Sequence, residues 1–351
     1  MMRLMRLAAI SVLLLSVLAS ETASQSARID LSKLGPQVGE RVPEFRLVDQ
    51  HGAARTLDSI MGPKGAMLVF SRSVDWCPYC KTQVLELQRR AADLKKQGLG
   101  LAVVTYDSPA LQEEFGKRRG ITLPLLSDAG SATIRSFGIL NTTVGEQSPN
   151  YGIPFPGTFV LDRKGVVTAR FFEDAYQERN TVANIMLKLD ATSLERPATR
   201  VTTDHLKVTT YASDDVVAPG SLFSLVLDVE PRAHMHVYAP GADGYKIIGL
   251  ELDPNPLLIS RPMSYPKSDI YFFKPLNEKV PVYQKPFRLM QELAVSASRD
   301  DRAAVGKLET LTISGRLNYQ ACDDKVCFIP ASVPVSYTVK IRQLDTERAP
   351  R

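Results

Sequence analysis

Four cysteines are the residues of this chain best suited to covalent chemistry, and they come as two tight pairs. Cys77 and Cys80 lie in WCPYC, and Cys322 and Cys327 lie in YQACDDKVC. Two thiols one helical turn apart can close and open a disulfide. Where the first of them opens a helix, the unpaired N–H groups and the helix dipole favour its thiolate. Cys77 is then expected as an exposed nucleophile, and Cys80 as the thiol that attacks the mixed disulfide and releases the partner. Lys81 adds positive charge nearby and Asp75 opposes it. A purely structural staple competes with this reading. A loop this short removes little unfolded-chain entropy, ~2 kcal/mol against ~4.7 kcal/mol for a loop of about 100 residues. A staple therefore explains Cys77–Cys80 poorly. For Cys322–Cys327, spacing alone favours a disulfide pinning a hairpin tip. A zinc site built from both pairs is the remaining option, and the strand-to-helix setting of WCPYC speaks against it.

His234 and His236 flank Met235, and on one strand they would share a face. With Met263 or Met290 they raise the idea of copper. The plainer reading makes His236 and Tyr238 packing residues of a β domain. No metal and no cofactor is expected.

The elements that must hold these residues follow from pattern. GAMLVF, residues 65–70, reads as a buried strand running into WCPYC. Beyond the pair, Val84, Leu87, Ala91 and Leu94 recur at helical spacing, and Gly98 stops the helix. LGLAVVTY is a second buried strand. Ser108 and Pro109 cap and open another helix. GTFVLD, a DRKG turn and VVTARFF make a hairpin, and a helix over Thr181–Leu189 closes an α/β domain. ATSLERPATR then reads as a linker. Beyond it helical periodicity fades. Phe223, Leu225, Leu227 and Val229 alternate with Ser224, Val226, Asp228 and Glu230, and Val333 to Ile341 do the same. This predicts an all-β sandwich.

At 351 residues with 44% apolar content, the chain can bury two ordinary cores. Its formal charge is +5, two units of which are Arg3 and Arg6, so nucleic acid is not an expected partner. The N-terminus is basic (MMRLMR), then apolar from Leu7 to Ala19, then rich in small residues. That order predicts a signal peptide over residues 1–24, with an uncleaved N-terminal anchor as the alternative. No other run is long enough to span a bilayer, so stable membrane insertion is not expected. The mature protein is expected to be periplasmic or secreted, where disulfides persist.

PEFRLVDQHG, WCPYC, LPLLSD and PGTFVLDRKG together resemble the redoxin (AhpC/TSA-like) branch of the thioredoxin-like superfamily, over residues 35–192. The resemblance implies a thioredoxin-like fold and a dithiol–disulfide oxidoreductase. It also implies a cis-proline facing the pair, at Pro156. Peroxiredoxins of this group carry Thr or Ser three residues before the reactive cysteine, Pro seven before it, and Arg at the Pro156 position. Val74, Phe70 and Pro156 stand there in this chain. Peroxide reduction at Cys77 is therefore the alternative activity. AHMHVYAPGADGY, VYQKPF and YQACDDKVCFIP make residues 205–345 similar to the N-terminal domain of the thiol:disulfide interchange protein DsbD, behind a linker at 193–204. That likeness implies an immunoglobulin-like sandwich with Cys322 and Cys327 as a second redox pair, and a capping loop at Pro240–Tyr245. Two matched pairs joined by a flexible linker, which raises the effective concentration of one at the other, lead to the expectation of electron relay between them. Expected partners are protein thiols and disulfides, with a membrane thiol–disulfide carrier as an electron source. A non-enzymatic partner-binding module with structural disulfides is the third reading.

Overall fold

The first half of the chain alternates strands and helices. They are β1 (Arg46–Asp49), β2 (Ala54–Thr56), α1 (Leu57–Ile60), β3 (Gly65–Phe70), α2 (Pro78–Lys96), β4 (Leu99–Thr105), α3 (Pro109–Arg119), β5 (Leu125–Ser127) and α4 (Ala132–Ser136). Then follow β6 (Gly157–Asp162), β7 (Val167–Phe172), β8 (Arg179–Asn180) and α5 (Val182–Lys188). The computed structural model describes residues 29–190, 197–273 and 277–350. The expected signal segment at 1–24 and the start of the expected linker lie outside the described residues.

Seven of these strands form one sheet in the order β2-β1-β5-β4-β3-β6-β7. β3, β4 and β5 are parallel, and β6 and β7 add an antiparallel hairpin. β3 is buried from end to end. Its Met67 and Val69 face a core shared with Val84, Leu87 and Leu94 of α2 and with Ile185 of α5. Leu68 and Phe70 point the other way, into a core with Ile134, Phe137 and Phe159. Both faces are thus covered, as a parallel sheet requires. α2 ends where Gly98 takes a φ of +81°. The expected thioredoxin-like α/β fold is present.

The rest is β-rich. β9 (Thr199–Thr202), β10 (Leu206–Ala212), β11 (Val216–Val217), β12 (Ser221–Pro231), β13 (His236–Tyr238), β14 (Gly249–Leu252), β15 (Leu258–Ser264) and β16 (Asp269–Phe273) come first. β17 (Glu278–Tyr283), β18 (Phe287–Val295), the short α6 (Arg302–Val305), β19 (Thr310–Tyr319), β20 (Ala321–Cys322) and β21 (Ala331–Ile341) complete it. β15-β18-β12-β10-β9 form one sheet, β11-β21-β19-β14 a second, and β16-β17-β13-β20 a third. Leu225, Leu227 and Leu289 from the first sheet meet Ile313, Val335 and Tyr337 from the second in one core.

Two expectations need correction. The linker is not a linker throughout: Thr199–Thr202 is β9, paired antiparallel with β10. Its threonines and valine suit an edge strand, and the Pro197 before it disguised the signal. β12 does not alternate between core and solvent either, because Leu222 to Leu227 are all buried. Its outer face is covered by α5. Val226 packs on Leu187, and the Ser224 hydroxyl donates to Asn184 at 2.6 Å. β8 pairs in parallel with the start of β12. The α/β half and the β-rich half are therefore joined, and Leu31–Arg351 make one compact unit.

Candidate active site

The Asp107 carboxylate sets the loop between β3 and α2. It accepts from the Ser73 hydroxyl, the Val74 N–H and the Thr105 hydroxyl at 2.7–2.8 Å. Cys77 then caps α2, with Pro78 in the first turn. Cys77 Sγ accepts the Cys80 N–H at 3.3 Å, and the two cysteines form a disulfide. A sulfur at this position meets the positive end of a 19-residue helix.

The pair is not exposed, contrary to expectation. Cys77 is 1% and Cys80 0% exposed. Trp76, Tyr79, Ala297 and Leu344 pack around them. Leu344 belongs to the segment after β21, which crosses the start of α2 like a strap. Asp345 binds Arg119 through two bonds of 2.7 and 3.0 Å, lies 3.7 Å from Lys81 Nζ, and donates its N–H to Thr82. Lys81 also donates to the Glu347 carbonyl. Arg348 and the Ala349 N–H hold Asp75 from the other side. Lys81 is 1% exposed, and burial lowers its pKa against the pull of Asp345. The charges flanking WCPYC in sequence are thus neutralised by the strap.

Below the pair, Arg179 is brought in by β8. Its Nη2 reaches Cys80 Sγ at 3.5 Å, and its Nε donates to Gln83, which also accepts from Ser71. Its Nη1 donates to the Tyr176 and Glu178 carbonyls. Arg72 lies between the Trp76 and Tyr176 rings, 4.8 and 4.6 Å from their centres. Tyr79 reaches across the junction to the Ala297 carbonyl at 3.2 Å.

Pro156 precedes β6, and the Phe70–Gly157 register brings it to the same sheet end as the pair. Its peptide bond is trans, which corrects the expected cis-proline. The trans form is the intrinsically favoured one, by about 0.5–1 kcal/mol. The chain also approaches it extended, with the Phe155 N–H bonded to the Ile139 carbonyl and Pro154 bridged to Leu140.

A cavity of about 30 Å3 at the junction is lined by Gln83, Glu86, Arg179, Gly220 and Arg342 among others. It has room for about one water molecule. Glu86 is half-buried overall, yet burial of its carboxyl pushes its pKa up to about 8, helped by Asp214 and opposed by Arg90 and Arg89. Folded protein therefore keeps a proton that the unfolded chain releases. Stability from this group falls as pH rises from 4.5 to about 8, by at most ~1.4 kcal/mol per pH unit. Glu86→Gln should gain on the parent across that window in denaturant melts. Parallel stability curves would contradict this.

The second pair joins Cys322, at the end of β20, to Cys327 in the turn before β21. Cys322 is fully buried and Cys327 half-buried. The Tyr238 hydroxyl sits 2.9 Å from Cys322 Sγ and 3.3 Å from Cys327 Sγ. Tyr245 stacks on Tyr238 at 3.9 Å and donates to Glu278. Ala242 and Tyr245, from the segment expected to cap the pair, pack in its cluster. His236 is buried against Tyr238 and Tyr271. His234 is exposed in a turn at φ +64°, so the two histidines do not share a strand.

The two pairs lie at opposite ends of the β-rich half. Leu344, on Cys77, follows the Lys340 end of the β19–β21 ladder, and Cys322 follows its Tyr319 end. That ladder runs from Thr310–Lys340 to Tyr319–Ala331, on the order of 30 Å at strand rise. β12 spans the same interval, from Gly220 beside Tyr79 to the turn before His236, which pairs with Cys322. Direct transfer between the pairs within one chain, as the sequence suggests, does not fit this arrangement.

Arg179, Asp345 and Arg348 carry no signal of a site role in the sequence. The polar stretch around Arg179 has no periodicity, and the strap is charged and follows the last strand, so it reads as a tail.

Residues 38–170 match the model of the AhpC/TSA family. The chain is 29% identical to the thiol-disulfide oxidoreductase ResA of Geobacillus thermodenitrificans over 46% of its own length and 84% of that protein. It is 30% identical to alkyl hydroperoxide reductase E of Mycobacterium tuberculosis, over 39% of its own length and 84% of that protein. Likeness to a peroxiredoxin of Aeropyrum pernix is 25%, over 39% of this chain and only 55% of that protein. All three matches leave more than half of this chain uncovered.

Proposed function

Because the chain belongs to the AhpC/TSA family through residues 38–170, we propose that it is a thiol–disulfide oxidoreductase exchanging with protein thiols and disulfides at Cys77 and Cys80. The observation that carries this reading is the closed pair at the head of α2, with a guanidinium on Cys80 and, among the described residues, none on Cys77. A polarising cation at the attacking sulfur would favour peroxide reduction. Val74, Phe70 and Pro156 are apolar and offer nothing to hold a peroxide. Relatives named for both chemistries leave the peroxidase as the rival activity.

Cys77 attacks the partner disulfide, and Cys80 resolves the mixed disulfide. Pro156 stands at the same sheet end as the pair, where a trans-proline still removes an N–H and leaves backbone for a partner. The protein works outside the cytoplasm; the basic, apolar, small-residue order of its N-terminus and its two disulfides support that location. Residues 205–345 serve as a DsbD-like, immunoglobulin-like module with Cys322–Cys327 as a second dithiol. Tyr238 on both sulfurs and the half-exposed Cys327 support redox traffic there. A membrane thiol–disulfide carrier is a suitable electron source. Since the pairs face opposite ends, each meets its own partner, and relay between pairs runs through a second molecule.

Cys77→Ser should abolish reduction of a protein disulfide such as insulin, while Cys322→Ser/Cys327→Ser leaves the reaction at Cys77 intact when a small thiol supplies electrons. Full activity in Cys77→Ser would overturn the assignment.

A further inference from the structure

Arg179 is a buried cation with no ion-pair partner among the described residues; the Glu173 carboxyl attracts it only from a distance, and the Arg72 guanidinium opposes it. It is 9% exposed, and its described partners are two carbonyls, the neutral Gln83 oxygen and Cys80 Sγ. No carboxylate among the described residues forms an ion pair with it. A desolvated charge left in this way is costly unless a counter-charge arrives. Reduction of the disulfide can provide one, because its sulfur contact is to Cys80.

We infer that Arg179 is a positioning residue that holds the buried resolving cysteine, Cys80, as a thiolate whenever the pair is reduced, and that the β-rich half delivers it there. The proposal rests on the exchange reading above and assigns the polarity of that same site. Arg179 reaches Cys80 through β8, whose Arg179 N–H bonds the Gly220 carbonyl and whose register is set by Ser221 and Leu222 of β12. The sheet carrying the second module therefore fixes the guanidinium on the first module's sulfur. Burial alone pushes a thiol pKa up, and a fixed cation at the sulfur reverses that.

The other charged groups on elements packed around Cys80 are Arg72 and Asp75 after β3, Lys81 and Glu86 on α2, Glu173 and Glu178 before β8, and Asp345 in the strap. Asp75 is neutralised by Arg348, Lys81 faces Asp345, and Glu178 pairs with Arg261. Burial holds Glu173 at about 7. Arg179 is the one among them with a hydrogen bond to the sulfur.

In the resolving step the Cys80 thiolate attacks the Cys77 sulfur of a Cys77–substrate disulfide. The Cys77–Cys80 bond forms, the Cys77–substrate bond breaks, and the substrate leaves as a thiolate that takes its proton from solvent. The proton Cys80 gave up on reduction has already gone to solvent. A Cys80 held charged attacks without waiting for a base. It also stabilises the reduced pair and makes the site more oxidising.

The test titrates Cys80 in a Cys77→Ser protein by thiolate absorbance and by iodoacetamide trapping against pH, with no substrate present, so that failure here is separable from failure of the exchange activity. Cys80 should titrate below the ordinary thiol value of about 8.5. Arg179→Gln should lower the thiolate fraction at neutral pH about tenfold or more, Arg179→Lys should largely restore it, and in the otherwise native pair Arg179→Gln should move the glutathione equilibrium toward the disulfide by a similar factor. A Cys80 in the Cys77→Ser protein that titrates at or above the ordinary value overturns the inference even if no Arg179 variant folds. So does an Arg179→Gln protein with unchanged titration.

Discussion

Truncation after Arg342 should make the Cys77–Cys80 disulfide react with a small thiol roughly 30 to 150 times faster than in the full chain. The strap's charged hydrogen bonds, Asp345 on Arg119 and Arg348 on Asp75, and the partial burial of Leu344 dock it by about 2–3 kcal/mol net. A segment held that firmly is open only a per cent or so of the time, and attack on a fully buried sulfur waits for opening. Removing the strap removes the wait. Lys81 loses Asp345 and the Glu347 carbonyl in the same change, but it becomes wet at once and is not left as a buried lone charge. Asp345→Asn is the milder version, because it keeps the chain and breaks the Arg119 and Lys81 pairings. It should give part of the acceleration. Stopped-flow reduction by dithiothreitol, with circular dichroism to confirm folding, measures both. Equal rates in full-length and truncated protein would mean that partners reach Cys77 by another route.

Cys80→Ser should accumulate Cys77 mixed disulfides with substrate proteins and no cross-link from Cys77 to Cys322 or Cys327 within one chain. Cys77 stays nucleophilic in that variant, and nothing resolves its adducts. The geometry decides the second half of the result. A ladder on the order of 30 Å separates the two pairs, and β8, α5 and the strap join the halves at several points. A flexible tether would raise the effective concentration of one pair at the other; this junction instead holds them apart. Non-reducing peptide mapping at low protein concentration gives the answer. An intrachain Cys77–Cys327 peptide would show that the halves separate and re-dock. A cross-link that appears only at high concentration would show relay between copies.

Much of the α/β half is legible from sequence because its signals are local. The apolar run at 65–70, the heptad-like spacing of Val84, Leu87 and Leu94, and the Ser108 cap each specify their element within a few residues. The cysteine pair at the head of α2 is legible for the same reason. What could not be read depends on partners far away in the chain. The alternation of β12 looks like a half-solvated strand, and only the packing of Leu187 and Asn184 explains why its outer face is buried. Arg179 and Asp345 carry no periodicity, and their importance comes from a sulfur and a lysine brought close by tertiary structure. The burial of Cys77 follows from the same cause. The expected cis-proline came from family likeness and not from any local signal at Pro156, and there the structure differs.

Cys77 and Cys80 should exchange with disulfides in preference to peroxide. The most direct measurement mixes the fully reduced wild-type chain in a single turnover with equal amounts of a protein disulfide and hydrogen peroxide, then assigns the oxidised product by mass spectrometry under acid quench. Reduced substrate protein and a trapped Cys77–substrate disulfide should appear ahead of the closed Cys77–Cys80 bond, with peroxide left unconsumed. Rapid consumption of peroxide, with a sulfenate at Cys77 preceding the disulfide, would contradict it.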